Sequence, residues 1–158
     1  QASLAWPRYA LFDPLGMRSA VMEADARGTF VGSSYLYATG RDWARFALLL
    51  LQDGRWQGRA LLPPDWVARM RTPSQAGPKD YTEGQMWLHG PQAGTPVGQN
   101  PDTGFQLPAD TVWMNGHDGQ SIALVPSRQL AVVRLGLTPA KLQHRPQRLV
   151  EALLRALP

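Results

Sequence analysis

The chain has 158 residues, of which 44% are hydrophobic and 18% charged, which is typical of one globular domain or a large piece of one. The net charge of +4 comes from basic residues spread singly along the chain, so nucleic-acid binding is not indicated. The absence of cysteine excludes disulfide scaffolds, thiol nucleophiles and Cys-ligated zinc. No apolar run approaches the ~20 residues that cross a bilayer, so we expect no membrane span. The chain begins at Gln1 with no signal-like segment, and we expect a processed chain or part of a longer one.

The first 38 residues predict one short helix and a turn. The helix should lie within residues 1–18 and end at Asp13-Pro14, because proline disfavours helical geometry at the residue before it. Gly32 to Ser34 indicate a turn. Ser33 and Ser34 are interpreted as turn residues, since no Lys or His stands at a spacing that could activate a serine nucleophile.

A helix is predicted after Thr39. Thr39 is a favourable N-cap, and Asp42 follows at the spacing of a capping box. Apolar residues then recur at helical spacing and predict one buried stripe that ends at Gly54. The stripe consists of Trp43, Phe46, Ala47, Leu50 and Leu51.

A second, short helix is predicted over Asp65 to Arg71, with Pro64 in its first turn. Residues 72–110 contain six Gly and six Pro, and we interpret them as a Gly/Pro-rich loop region with one strand, Tyr81 to Leu88, inside it. Loops of this length in a compact domain are usually functional or disordered.

The stretch Trp113 to Leu137 predicts three strands joined by two tight turns. Gly116 and Gly119 flank His117 and Asp118 in the first turn. The apolar runs on either side do not alternate with polar residues, so we expect these strands to be covered on both faces. A terminal helix is predicted to begin at Pro146 and to lay one apolar face on the sheet.

Other side chains carry simpler expectations. Large aromatic residues are expected in the core, namely Trp43, Phe46, Trp66 and Trp113. His89 and His144 are expected in loops or at the surface. Three histidines without close carboxylate partners do not indicate a zinc site, and we expect no cofactor.

Six segments, in the same order, resemble the C-terminal half of the serine β-lactamase and penicillin-binding-protein-like hydrolases. The resemblance is to the class C-like branch, which includes esterases and 6-aminohexanoate-dimer hydrolases. The third active-site motif of that branch, G-H-x-G-Q, matches Gly116 to Gln120. The six segments are residues 12–17, 32–46, 61–70, 81–87, 116–120 and 125–137.

The resemblance implies an α+β fold, an antiparallel sheet flanked by helices, with residues 1–158 as the C-terminal portion of a single β-lactamase/transpeptidase-like domain. It places His117 at the position of the family's lysine, Asp118 at its threonine and Gly119 at its glycine. The backbone N–H of Gln120 would be one of two oxyanion-hole donors. A histidine here favours ester or amide chemistry over β-lactam chemistry, and Asp118 would repel a substrate carboxylate. Tyr81 and Trp87 are expected to face the substrate cleft.

The family's other two motifs are not present in this sequence. No Ser precedes a Lys by three positions, and no Tyr or Ser is followed two positions later by Asn. We therefore expect the isolated chain to be inactive, with an ester, amide or β-lactam as the substrate of the whole protein. We expect a missing N-terminal half, or a second copy of the chain, to cover an open sheet edge. The family analogy favours a periplasmic or secreted location. A non-catalytic binding or structural module on the same scaffold is the alternative.

Overall fold

The computed structural model describes the backbone of residues 2–157 and the side chains of residues 4–157; Gln1 and Pro158 lie outside the described residues. Helical and strand segments alternate with long turns. The helices are α1 (Ala2–Pro7), α2 (Asp13–Leu15), α3 (Gly40–Leu51), α4 (Trp66–Met70) and α5 (Gln147–Ala156). The strands are β1 (Val21–Met22), β2 (Leu36–Tyr37), β3 (Arg55–Trp56), β4 (Arg59–Ala60), β5 (Val112–Asn115), β6 (Ser121–Val125) and β7 (Leu130–Arg134).

The main sheet has three antiparallel strands in the order β5-β6-β7. Trp113 lies opposite Ala123, and Ala123 lies opposite Val132. Every residue of β6 is buried, as the non-alternating apolar run predicts. Among the described residues β7 pairs with β6 alone, so its other side is an open edge.

Helices cover both faces of this sheet, which confirms the predicted α+β architecture. On one face α3 packs against β6 and β7, where Ala47 and Leu50 meet Ile122 and Leu124. On the other face α5 buries Val150 and Leu154 in a cluster that contains the fully buried Trp113. The predicted C-terminal helix therefore lies on the sheet through one apolar side, because its apolar residues recur at helical spacing.

The start of α3 is capped by two segments of the chain. The Thr39 side chain accepts a hydrogen bond from the Asp42 N–H, as predicted. The Asp42 carboxylate does not complete the capping box; it accepts hydrogen bonds from the Ser19 N–H at 2.8 Å and from the Ser19 hydroxyl at 2.6 Å. The Ser19 hydroxyl instead accepts the Thr39 N–H at 2.9 Å. Ser19 thus accepts the Thr39 N–H, which the side chain of residue 42 would accept in a capping box.

The N-terminal helix was predicted to end at Asp13-Pro14, but it continues to Leu15. A π-helical segment, Arg8–Phe12, continues into α2, and Asp13 has helical geometry with φ −67° and ψ −48°. Pro14 has no N–H to donate, but the Met17 N–H donates to the Phe12 carbonyl at 2.8 Å and so stabilises this end of the helix. Gly16, with φ +75°, closes the helix.

The strand predicted inside residues 72–110 does not form. Gln85 has φ +61°, and the chain reverses between Thr82 and Met86, whose N–H and carbonyl both bond to Thr82. Tyr81 and Trp87 are left as isolated bridge partners. A tight reversal replaces the extended segment because a residue with left-handed backbone geometry cannot continue a strand. The rest of the region is loop, as expected.

Two further expectations around α4 are wrong. The helix begins at Trp66, after Asp65 with φ +60°, so Pro64 precedes the first turn rather than occupying it. Trp66 is 41% exposed rather than buried. Arg69 lies over its ring at 5.1 Å, which gives the indole a cationic partner at the surface.

Candidate functional site

A tight turn between β5 and β6 presents the residues that the sequence singles out. β5 and β6 are paired up to Asn115 and Ser121, and the Gly116 N–H closes the turn on the Gln120 carbonyl at 2.8 Å. Inside it, residues His117–Gly119 form a short 3-10 segment in which Asp118 has φ 50° and ψ 45°. Gly119 has φ +76°, a conformation in which glycine avoids the steric cost that other residues carry. The two paired strands hold the turn at a fixed position.

His117 points into solvent, with 88% of its side chain exposed. Its Nε2 lies 3.5 Å from the Asp118 carboxylate, so a protonated imidazole has a counter-ion beside it. An exposed imidazole can donate or accept a proton in a reaction. The turn is not packed under another segment, and its histidine is accessible to a ligand.

The Gln120 amide is already engaged in this structure. Its N–H donates to the His117 carbonyl at 3.3 Å, and its side-chain Nε2 donates to the same oxygen at 3.2 Å. The backbone bond is long for an N–H···O contact. An oxyanion-donor role therefore requires the N–H to exchange this weak intramolecular bond for a stronger acceptor.

Two residues that the sequence reasoning missed anchor the turn from behind. Nη1 of Arg134, at the end of β7, donates to the Gly119 carbonyl at 2.7 Å. The Thr138 N–H donates to the Asp118 carbonyl at 2.7 Å, and the Thr138 hydroxyl accepts from Arg134. The sequence contains one signal for Arg134, a charged residue at the end of the apolar run 130–133. The structure places Arg134 opposite Ser121, next to the turn.

Trp87 lies against β5 farther from the turn, and Tyr81 packs on Trp87. Trp87 exchanges two backbone hydrogen bonds with Trp113, at 2.7 and 2.8 Å, and its ring lies 4.8 Å from that of Tyr81. Trp113 precedes Gly116 by three residues, or roughly 10 Å along a strand. Trp87 is 37% exposed, so it offers an aromatic surface beside the sheet without a described contact to the turn.

Two concave surfaces of the described chain lie away from the turn. One is lined by residues of α1, the π-helical segment and β1, and another by residues of the loops at 92–96 and 140–143. Neither of these two surfaces is lined by a residue of the turn. Within residues 4–157, no group of three or more acidic or histidine side chains is placed to hold a metal ion.

His144 lies in the loop before α5, as expected, and is half-buried. Burial lowers the pKa of His144 below its usual value, and the positive charge of Arg134 lowers this pKa further. Its Nε2 is buried without a hydrogen-bond partner in the described residues. The surroundings of His144 therefore favour the neutral imidazole.

Comparison with known proteins identifies the fold. No family model matches the sequence, and no curated protein matches it. The structure is similar to "Putative 6-aminohexanoate-dimer hydrolase from Bacillus anthracis", with a TM-score of 0.66 and 20% identity over 95% of this chain and 37% of the other. It is also similar to a "putative beta-lactamase from Bacteroides dorei DSM 17855", with a TM-score of 0.58 and 17% identity over 94% of this chain and 49% of the other.

These matches show that the chain has the fold of the β-lactamase-like hydrolases. It spans less than half the length of each of these two proteins. That coverage fits the predicted C-terminal portion of the fold. Within residues 2–157, moreover, each helix is too short or too polar to cross a bilayer.

Proposed function

We propose that this chain is the C-terminal part of a serine hydrolase that cleaves esters, amides or β-lactams through an acyl-serine intermediate. Its contribution is the turn at residues 116–120, which supplies an imidazole and a backbone N–H to an active site whose nucleophile lies on other residues. The observation that supports this most directly is the accessible His117, held on a rigid two-strand support in a β-lactamase-like fold. Rigid elements with an exposed polar turn suit a catalytic constellation.

The roles within the turn follow from its chemistry. His117 would hold a substrate carbonyl or assist proton transfer to the leaving group. The Gln120 N–H would stabilise the oxyanion beside the N–H of the nucleophilic serine, a donor typically worth ~2.7–4 kcal/mol in the transition state. Asp118 would discriminate against substrates with a carboxylate, and Gly119, Tyr81 and Trp87 would contact the substrate.

The first test compares two preparations. The purified 158-residue chain should not turn over p-nitrophenyl acetate or nitrocefin. The complete polypeptide from the same reading frame should form an acyl-enzyme that mass spectrometry detects. Saturable turnover by the 158 residues alone would show that the nucleophile has been misplaced.

The second test addresses His117 in the complete polypeptide. His117→Ala should lower kcat for p-nitrophenyl acetate by about 10²-fold, within the range for a general acid or base. His117→Lys, which restores the side chain usual in the family, should retain part of the activity. His89→Ala serves as a control for the loss of an imidazole outside the turn. If His117→Ala and His89→Ala have equal effects, His117 has no catalytic role.

The binding-module alternative makes a different prediction. A non-catalytic scaffold would give no acyl-enzyme in any preparation, although a ligand could still perturb the NMR signals of residues 116–120. Its support is the exposure of the turn, since 88% of the His117 side chain is accessible. Absence of an acyl-enzyme in the complete polypeptide would favour this alternative.

The open edge of the sheet also suggests a partner. The open edge of β7 is a row of backbone groups that another strand could pair with. We propose that strands from the missing part of the fold, or a second copy of this chain, cover it.

A further inference from the structure

The peptide unit between Gly119 and Gln120 has its two polar groups directed to different partners. Its N–H belongs to Gln120 and is the group assigned above to the oxyanion. Its carbonyl belongs to Gly119 and accepts the 2.7 Å hydrogen bond from Nη1 of Arg134. Since C=O and N–H of one peptide are conjugated, a cation at the oxygen makes the N–H a stronger donor.

We propose that Arg134 is a positioning residue, which orients and polarises the Gly119–Gln120 peptide so that its N–H can bind an oxyanion. The inference rests on the proposed function, and it names a residue outside the G-H-x-G-Q motif. Arg134 acts through the peptide and not by touching the substrate.

The orientation of this peptide is fixed from one side by a single segment. Arg134 donates to the Gly119 carbonyl, and Thr138 donates its N–H to the preceding carbonyl, that of Asp118, at 2.7 Å. The guanidinium is itself held, because it also bonds to the Thr138 hydroxyl and to the Gly136 carbonyl at 3.3 Å. Two successive peptide planes of the turn are thereby set from the back, which leaves the front of the turn for a ligand.

The charge of Arg134 is not cancelled locally. Within the described side chains, Arg134 forms no ion pair with a carboxylate. Its guanidinium is half-buried, where a charge is screened less than at the surface. Uncharged groups, the carbonyls and the Thr138 hydroxyl, take up its hydrogen bonds, so the positive field extends into the turn.

The present partner of the Gln120 N–H is weak. The bond to the His117 carbonyl is 3.3 Å long, and that oxygen also accepts from the Gln120 side chain at 3.2 Å. An anionic oxygen would compete effectively for a polarised N–H, since charge-assisted hydrogen bonds are roughly twice as strong as neutral ones. The Gln120 N–H is therefore held by a weak intramolecular bond that an anionic oxygen can replace.

The first experiment uses NMR on the 158-residue chain and needs no catalysis. Arg134→Gln should move the Gln120 amide proton and the Gly119 carbonyl carbon in the direction of weaker hydrogen bonding. Arg134→Lys, which keeps the charge with fewer donors, should move them part of the way. Arg148→Gln, on the exposed side of α5, removes the same charge and should leave both signals in place. If Arg134→Gln does not fold, Arg134→Lys decides alone, and unchanged signals in either variant would overturn the proposal.

The second experiment measures esterase kinetics in the complete polypeptide. Arg134→Gln should lower kcat for p-nitrophenyl acetate about ten- to hundredfold with KM within about twofold, since the lost interaction belongs to the transition state. Arg134→Lys should recover part of kcat, and Arg148→Gln should match the unaltered protein. A rise in KM with unchanged kcat would overturn the positioning role. If the unaltered polypeptide forms no acyl-enzyme, the proposed function fails, while the NMR result still decides whether Arg134 orients the peptide.

Discussion

At the scale of single residues, the fold lowers the pKa of two side chains, Asp42 and His144. Asp42 is only 4% exposed, and it joins the start of α3 to Ser19 and Arg45. The Ser19 hydroxyl bond is the main cause that holds the pKa of Asp42 below its usual value, with burial acting in the opposite direction. His144 shows the reverse requirement, because its site favours the neutral form. Both residues predict how stability changes with pH.

Asp42→Asn should destabilise the chain by about 1–3 kcal/mol at pH 7, because hydrogen bonds to a charged group are lost. A carboxyl with a lowered pKa stabilises the fold above its unfolded value, near 3.9, and this contribution is lost as pH falls through the folded value. The difference between the two proteins should therefore narrow below about pH 4. Urea unfolding over a pH series measures it. Asp53→Asn, at an exposed position after α3, should change stability by less than about 0.5 kcal/mol; a comparable loss there would mean that Asp42 is not special.

His144→Gln should reduce the dependence of stability on acid pH. Because the pKa of His144 is lowered in the folded chain, the unfolded state binds more protons below about pH 6.5, and stability falls as pH falls through that range. The glutamine variant should show a flatter free energy of unfolding between about pH 7 and pH 5. His117→Gln, at an exposed site, should keep the slope of the unaltered chain. Equal slopes for the unaltered chain and His144→Gln would contradict the assignment.

At the scale of elements, one tight reversal packed on α4 replaces the strand that the sequence pattern predicted. The reversal at residues 82–86 packs on the end of α4, where the Gly84 N–H meets the Met70 carbonyl at 3.1 Å and the Glu83 N–H meets the Thr72 carbonyl at 2.9 Å. A Cβ at Gly84 would come within 2.5 Å of the Met70 Cα. Close approach of two backbones, and not a turn conformation, is the reason for glycine at this position.

Gly84→Ala should destabilise the chain by about 1–3 kcal/mol, the usual cost of overpacking. The added methyl meets backbone atoms, which cannot move aside as a side-chain end can. The matched control is Gly32→Ala, where an added Cβ has nothing within 4 Å, and its effect should stay within about 0.5 kcal/mol. Denaturant unfolding of the two variants provides the measurement, and a neutral Gly84→Ala would show that α4 and the reversal are not tightly docked.

At the scale of the whole molecule, the two outer strands of the main sheet differ in their backbone partners. β5 receives the bridge from Trp87 on its outer side, whereas β7 has β6 as its one partner within the described chain. Large apolar side chains are also exposed near the N-terminus, with Trp6 at 65% and Tyr9 at 80%. The chain spans 37% and 49% of the two similar structures described above, which fits a fold that continues beyond these features.

Hydrogen exchange should reveal the open edge in the isolated chain. Amides of β6, which has a strand on both sides, should exchange slowly. In β7, alternate amides should exchange at least about 10²-fold faster, because every second N–H faces away from β6. Sedimentation velocity on the same sample reports whether a second copy pairs there. Uniform protection of β7 in a monomer would contradict an open edge.

The sequence by itself determined the parts of the protein that depend on local pattern. Helical spacing in residues 43–51 and 149–157 predicted α3 and α5, and the unbroken apolar runs predicted a sheet buried by helices. The order of short segments predicted the β-lactamase-like fold. Tertiary structure decided what depends on contacts between distant residues. The Ser19 hydroxyl accepts the Thr39 N–H in place of a local capping box. The Met70 carbonyl accepts the Gly84 N–H and holds the reversal within residues 81–88. Arg134 and Thr138 hydrogen-bond to the turn that carries His117. Such contacts have no periodicity in the sequence, because they arise only when separate elements are packed together.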